Sequence, residues 1–366
     1  MDTKTVKRYM RLAIQEAKRG NDKTYPNPLV GCVIVKNNRV IGSGYHKRFG
    51  GPHAEIFALK EADKKADGAT CFVTLEPCSY YGKTPPCVDA LIRSGIKEVV
   101  CAAKDPNPLN NGKGLDALRR HSIKVSLGTL EKEAKALNRI FFKRMKSFKP
   151  LVTLKLAQSL DGKIASNCGD SKWISSKASR KVVQDLRKTH DAVLIGINTL
   201  LCDDPILTIR NSKRQPVKVI IDARLKTPLN ARILKSISPG KTIIVTTKNA
   251  DQGKAVALKS QGADILYAKS ISKRVDLPAL MKQLFLRGIS SILAEGGGEI
   301  SASLFKDSLI DKFYLFIAPI IIGGKAATNS IGGNGIDKIK DAKRFTDIKV
   351  KRVDNDILIE AKCSQA

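Results

Sequence analysis

The chain has 366 residues, 42% of them hydrophobic, which is long for one domain and enough to fill two cores. Its 65 Lys and Arg against 34 Asp and Glu leave a net charge of +31, but the basic residues are spread along the chain among acidic ones, with only 5% aromatics; this favours a solvated lysine-rich surface attractive to small anions over a nucleic-acid-binding tail. No apolar run is long enough to span a bilayer, residues 1–20 alternate basic and apolar positions with no cleavage site, and the eight Cys lack regular spacing, so a cytoplasmic protein with reduced thiols and no membrane partner is expected.

Residues 5–18 carry an amphipathic helical period that stops at Gly20, and Pro26-Asn27-Pro28 breaks the chain. Residues 30–35 and 40–45 read as strands of a hairpin around Asn37-Asn38. A helix is predicted over 52–65 and a strand over 70–75, running into Glu76-Pro77-Cys78. A short helix over 88–94, a strand over 98–103 and a helix–strand pair over 115–121 and 125–127 follow. Residues 131–145 read as one connecting helix and 146–150 as a boundary, dividing the chain into domains 1–146 and 150–366. Strand-like runs then return at 151–156, 192–195, 217–221, 242–246, 292–294 and 313–322, with the clearest helix of this half over 276–287. The alternation predicts an α/β class in both halves.

His53-Ala54-Glu55, followed by Pro77-Cys78 and later by Cys87, carries the chemistry of the first half. One imidazole and two thiolates are ligands zinc accepts, and three protein ligands leave a fourth position for water, whose pKa the metal lowers. His-x-Glu with Pro-Cys is the pattern of zinc deaminases, in which the Glu is the general acid/base and not a ligand. Side chains two residues apart on a regular helix diverge by about 200°, so His53 and Glu55 converge only if His53 sits at the helix start, which Gly50-Gly51-Pro52 supports. Pro85-Pro86 likewise places Cys87 at a helix entry, where a thiol pKa is lowered. The usual pattern closes with Cys-x-x-Cys, whereas here eight residues separate Cys78 from Cys87. Cys32, Cys71, Cys101, Cys168, Cys202 and Cys363 have no such partners and read as core or incidental.

With the loop Pro77-Cys78-Ser79-Tyr80-Tyr81-Gly82-Lys83-Thr84-Pro85-Pro86-Cys87, the chain resembles the bifunctional riboflavin-biosynthesis deaminase/reductase family. Pro26-Asn27-Pro28-Leu29-Val30-Gly31, Gly44-Tyr45-His46 and Asp105-Pro106-Asn107-Pro108 also match. The resemblance implies a cytidine-deaminase-like α/β/α sandwich in which Glu55 shuttles protons during attack on the amino-bearing C2 of a diaminopyrimidinone, with Asn27, His46 and Lys83 as substrate contacts. Relatives often carry His where this chain has Tyr80, whose phenol can still donate a hydrogen bond.

The likeness continues through Lys155-Leu156-Ala157-Gln158-Ser159-Leu160-Asp161-Gly162-Lys163, Ser171-Lys172-Trp173-Ile174-Ser175, the run from Gly196 to Pro205, Leu207-Thr208-Ile209-Arg210 and Glu295-Gly296-Gly297-Gly298. It implies a dihydrofolate-reductase-like α/β domain that uses NADPH. Ala157, Trp173, Ser175, Thr199, Asp203 and the loop Gly297, Gly298, Glu299, Ile300, Ser301, Ala302 and Ser303 match cofactor contacts; Ser171, Arg187, Leu207, Arg210 and Glu295 match substrate contacts. By residue chemistry alone, glycines between a strand-like run and a helix suit phosphate binding, and Arg suits a ribose phosphate. The run lacks the G-x-G-x-x-G of a Rossmann fold. Lys155 and Asp203, polar within apolar runs, are candidates to position the sugar or move protons, or to form a structural ion pair. The reaction so implied is deamination of 2,5-diamino-6-(5-phosphoribosylamino)pyrimidin-4-one, then NADPH reduction of its ribosyl group, in a homo-oligomer. The contrasting readings are a nucleic-acid-editing deaminase with a basic RNA-binding domain, which the charge favours and the long loop and second-half motifs oppose, and a non-catalytic relative, which the intact His53, Glu55, Cys78 and Cys87 oppose.

Overall fold

A computed structural model describes residues 1–235, 241–272 and 274–363, with the backbone alone at 21 and 22. The chain divides into two compact units, Met1–Phe148 and Lys149–Ala366. Among the described residues no helix is long and apolar enough to cross a membrane.

The first unit runs α1 (Thr3–Lys18), β1 (Gly31–Lys36), β2 (Arg39–Tyr45), α2 (Ala54–Ala62), β3 (Thr70–Val73), α3 (Cys87–Arg93), β4 (Glu98–Cys101), α4 (Lys113–Arg120), β5 (Lys124–Leu127), α5 (Glu131–Leu137) and α6 (Arg139–Ser147). Its strands form one sheet in the order β2-β1-β3-β4-β5, antiparallel up to β3 and parallel from β3 to β5. Asn37 and Asn38 both take left-handed φ, as a two-residue hairpin turn requires. Alternation along the strands sends Cys32, Ile34, Cys71 and Val73 to one face under α2 and α3, and Val33, Val35 and Phe72 to the other under Tyr9, Met10 and Ala13 of α1. Helix α2 lies close on β2 because Gly42 and Gly44 have no side chains: a Cβ there would sit 2.2 Å from the Ala58 carbonyl oxygen and 2.5 Å from that of Ala54. This close approach fixes the N-terminal end of α2.

The expected single helix over 131–145 is two helices. Asn138, at φ −116° and ψ 30°, interrupts it. Its buried side chain takes the Leu29 amide on Oδ1 (2.7 Å) and donates Nδ2 to the Leu29 carbonyl (2.8 Å), a pairing an unbroken helix does not supply. Two hydrogen bonds across 109 residues thus tie α6 to the segment before β1.

The second unit runs β6 (Leu151–Gln158), β7 (Lys163–Ala165), α7 (Lys177–Lys188), β8 (Ala192–Gly196), α8 (Ile197–Asp203), β9 (Val217–Ile221), α9 (Arg232–Lys235), β10 (Thr242–Thr246), α10 (Gln252–Ser260), β11 (Ala263–Tyr267), β12 (Ser270–Ile271), β13 (Arg274–Val275), α11 (Leu277–Leu286), β14 (Ser291–Ala294), α12 (Gly298–Lys306), β15 (Lys312–Ile317), β16 (Thr328–Asn329), β17 (Phe345–Val353) and β18 (Asp356–Cys363). Nine strands form a sheet in the order β11-β10-β9-β8-β14-β6-β15-β18-β17. It is parallel up to β15 and closes with the antiparallel hairpin β17–β18. Apart from Lys218 in β9 and the Thr at each end of β10, the parallel strands β8, β9 and β10 read as apolar runs because helices cover both faces. The strand expected over 313–322 ends at Ile317, and residues 318–322 form irregular chain. The carboxylate of Asp161 holds that chain, accepting from the amides of Ile322 (3.1 Å) and Gly323 (2.7 Å).

Candidate active sites

In the first unit the ends of β2, β3 and β4 and the starts of α2 and α3 surround a cleft of about 250 Å³ lined by Asn27, His46, His53, Glu55, Cys78, Tyr80, Lys83, Asp105, Asn107, Phe141 and Arg144, among others. His53 is the cap residue of α2, in extended conformation, so the separation from Glu55 expected on a regular helix does not apply. Cys87 opens α3 behind Pro86. His53 Nδ1 lies 3.2 Å from Cys87 Sγ and 3.5 Å from Cys78 Sγ, and the three donor atoms fall within 4.8 Å of one another.

The electrostatics suit a cation. Hydrogen bonding from Cys87, opposed by burial and reinforced by His53, brings the Cys78 thiol down to about 4. The Cys87 thiol moves up as the donor of the pair and through burial. The hydrogen bond to Cys78 outweighs burial and raises His53. Glu55 is 3% exposed, and burial pushes its carboxyl up. Its Oε2 is buried with no hydrogen-bond partner. An orphaned carboxylate oxygen beside a His/Cys/Cys cluster is the acceptor that a bound water would satisfy, so the residues fit a zinc-like metal.

Asn27 and His46 form one unit. The Pro52 carbonyl accepts from His46 Nδ1 (3.0 Å), so in the neutral ring Nε2 accepts from Asn27 Nδ2 (3.1 Å). That leaves Asn27 Oδ1 to accept from a ligand. Burial lowers His46, favouring the neutral ring. Lys83 lies with Nζ 4.0 Å from the Phe49 ring centroid. The Tyr80 hydroxyl accepts from Asn107 Nδ2 (3.0 Å), and burial, ahead of Asp105 and Cys78, raises its pKa.

Two features of this site have no counterpart in the sequence reading. Asn110, fully buried, brackets Cys78: Oδ1 takes the amide (3.1 Å) and hydroxyl (2.9 Å) of Ser79, and Nδ2 reaches the Pro77 carbonyl (3.2 Å) and Asp105 Oδ2 (3.3 Å). Glu76 anchors the same turn by accepting from the amides of Asp105, Gly112 and Gly114. Burial raises Asp105 to about 6. The motif Asp105-Pro106-Asn107-Pro108 was the available signal, but nothing in it points to Asn110. Arg144 is the second feature, reaching the cleft from α6.

In the second unit, the C-terminal end of β14 runs into Glu295 and α12. Glu295 and Arg187 are paired with each other: Nε donates to Oε1 (2.6 Å) and Nη2 to Oε2 (2.9 Å), while Nη1 donates to the Thr208 carbonyl (3.2 Å). Burial opposes the charged form of each, but the pairing outweighs it, lowering Glu295 and raising Arg187. Burial lowers Lys155, partly offset by Glu295 and Asp203. Ser171 Oγ donates to Asp203 Oδ1 (2.6 Å), and Thr199 Oγ1 accepts from the Gly297 amide (3.1 Å). Leu207 is buried with a left-handed φ of 57°. Ala157 sits half-buried on β6, and Ser175 presents its carbonyl to Arg180. Arg210 is exposed, and its backbone amide donates to Gln184 Oε1 (3.1 Å). Trp173, matched above to a cofactor contact, is 72% exposed with the Arg180 guanidinium 4.4 Å from its ring centroid.

The glycine run has packing reasons beyond phosphate approach. A Cβ on Gly298 would lie 2.6 Å from the Asn329 carbonyl oxygen, and one on Gly296 3.0 Å from the Ile300 side chain. Gly297 caps α12, and the helix start still offers first-turn amides as donors. Within that turn Glu299 is exposed, accepts from the Gly333 amide (3.3 Å) and lies 3.5 Å from Arg274. Ser301 and Ser303 return their hydroxyls to carbonyls one turn back, and Ala302 packs near Gly333.

Comparison with known proteins agrees with both halves. The family "Cytidine and deoxycytidylate deaminase zinc-binding region" matches residues 3–103, and "RibD C-terminal domain" matches residues 150–359. The riboflavin biosynthesis protein RibD of Aquifex aeolicus is 45% identical over 96% of this chain and 97% of its own length. The structure of Acinetobacter baumannii RibD aligns over 100% of both chains at 37% identity with a TM-score of 0.85. That of a diaminohydroxyphosphoribosylaminopyrimidine deaminase/5-amino-6-(5-phosphoribosylamino)uracil reductase from Thermotoga maritima aligns over 99% of both at 34% identity with a TM-score of 0.83. A cytidine-deaminase-like unit with a clustered His/Cys/Cys set, followed by a reductase-like α/β unit and matched along its whole length, places the chain in the RibD family of bifunctional riboflavin-biosynthesis deaminase/reductases.

Proposed function

We propose that the first unit hydrolytically deaminates 2,5-diamino-6-(5-phosphoribosylamino)pyrimidin-4-one and that the second reduces the ribosyl group of the product to ribityl with NADPH. The observation that carries the first step is the unpartnered Glu55 Oε2 beside the His53, Cys78 and Cys87 donors. Those three side chains would hold zinc, which supplies the Lewis acidity that makes water a nucleophile at neutral pH. Glu55 removes a proton from the attacking water and delivers it to the departing amino nitrogen, and a carboxyl raised by burial suits both transfers. Asn27 Oδ1 accepts from the pyrimidine edge, with neutral His46 holding the amide in that orientation. Lys83 supplies a donor and positive charge.

In the second unit NADPH would be held by Ala157, Trp173, Ser175, Thr199, Asp203 and the segment from Gly297 to Ser303, and it supplies the hydride. Ser171, Lys155, Leu207, Arg210 and the Arg187–Glu295 pair would bind the phosphoribosyl substrate. Arg187 uses three of its five N–H donors on the protein, so its share of substrate binding rests on the remaining two. The residue assignments of both units follow the motif matches. A reducing, cytoplasmic setting agrees with the free thiols among the described residues. Self-association agrees with the edge strand β17, which leaves Ile348 and Val350 in solvent.

The test is Glu55→Gln. The variant is expected to keep its zinc and lose ammonia release by about a hundredfold or more, within the range for a general acid/base. Ammonia release at the unaltered rate would refute the role of Glu55.

A further inference from the structure

We infer that Arg144 is the phosphate-recognising residue of the deaminase cleft. The inference rests on the deaminase reading above and names the residue that meets the phosphoribosyl end of that substrate. The cleft is lined by two cations, Lys83 and Arg144. They differ in commitment. The Lys83 ammonium is parked over the Phe49 ring at 4.0 Å. The half-buried Arg144 guanidinium makes one long hydrogen bond, from Nη1 to the Pro26 carbonyl (3.4 Å), and no carboxylate among the described residues pairs with it. A guanidinium has five donors in a planar fork, so about four remain for a ligand.

A half-buried cation without a carboxylate is only partly compensated for its lost hydration, and a bound anion would supply the missing partner. Here its position is also built. Asn138 breaks the helix and locks α6 to Leu29 with two hydrogen bonds, and Phe142 of α6 packs into the core with Phe72 and Val33. Arg144, two residues beyond Phe142, is thereby delivered to the carbonyl that immediately precedes Asn27, the residue assigned to the pyrimidine edge. Phe141 and Met145 of the same helix line the cleft beside it. Base and phosphate recognition would then sit on one short stretch of chain braced by one helix. A phosphate monoester, with up to two charges and three terminal acceptor oxygens, is a group a planar fork binds with two bonds.

Wild type, Arg144→Gln and Arg144→Lys are compared for ammonia release from the phosphorylated substrate and from its dephosphorylated riboside, with bound zinc measured in each. Arg144→Gln is expected to raise KM for the phosphorylated substrate by about tenfold to a hundredfold, the span of a charge-assisted hydrogen-bond pair, with kcat nearly unchanged and the riboside unaffected; Arg144→Lys should recover part of the loss. Equal losses on both substrates in zinc-replete Arg144→Gln with no recovery in zinc-replete Arg144→Lys, or no change on either substrate in Arg144→Gln, would overturn the inference while leaving the deaminase reading intact. So would a phosphate-selective loss in Lys83→Ala that is missing from Arg144→Gln. No ammonia from either substrate with zinc-loaded wild type would sink the deaminase reading and this inference together.

Discussion

Asn110 shows how much of this active site is held by residues with no chemistry of their own. Its amide spans the carbonyl before Cys78 and the amide after it, so the Cys78 thiol of the His/Cys/Cys cluster hangs from a turn fixed on both sides. Replacing Asn110 by Ala strands the buried Pro77 carbonyl and the half-buried Ser79 amide. Outer partners of metal ligands commonly contribute tenfold to a hundredfold in affinity or activity. Asn110→Ala is therefore expected to weaken zinc retention against a chelator, or to lower kcat, by about that factor; unchanged zinc retention and unchanged kcat would remove Asn110 from the account. The clustering of His53, Cys78 and Cys87 was legible in the sequence because metal chemistry restricts residue type and spacing. Asn110 was not, since an Asn in a polar loop has many ordinary uses and its meaning lies in contacts 31 and 33 residues away. The same holds for the Arg187–Glu295 pair: both residues were singled out, but their union across 108 residues is a property of the fold.

At the scale of elements, most strands were legible because buried parallel strands read as apolar runs, and 217–221 and 242–246 have the bounds of β9 and β10. The hairpin β17–β18 was not read from periodicity: its edge strand β17 is solvent-exposed along nearly its whole length and carries no burial pattern. Helices α7 and α10 gave no bounds from periodicity; each buries only two residues, Ser179 and Val183 of α7 and Ala255 and Leu258 of α10. The break at Asn138 is the sharpest difference. Residues 131–145 hold a continuous helical period, and only the tertiary pairing with Leu29 shows why the chain turns there. Asn138→Ala leaves both backbone groups of Leu29 without partners and is expected to destabilise the first unit by about 1–3 kcal/mol, read as a lower urea midpoint with unchanged slope. A midpoint equal to wild type would show that the break is fixed by something other than this side chain.

For the molecule as a whole, two units with separate cores carry two chemistries on one chain. The net charge of +31 suits the phosphorylated substrates proposed for both steps. The family and the reaction pair were legible because motifs run along nearly the entire chain; what the sequence left open was which of the named residues the protein uses on itself before any ligand arrives. The most direct measurement of the central claim is one assay on zinc-loaded protein given the diaminopyrimidine phosphate with and without NADPH. The account predicts ammonia in both mixtures, and loss of NADPH that requires prior deamination. NADPH oxidised without ammonia release, or ammonia release that persists at full rate after zinc is stripped, would contradict it.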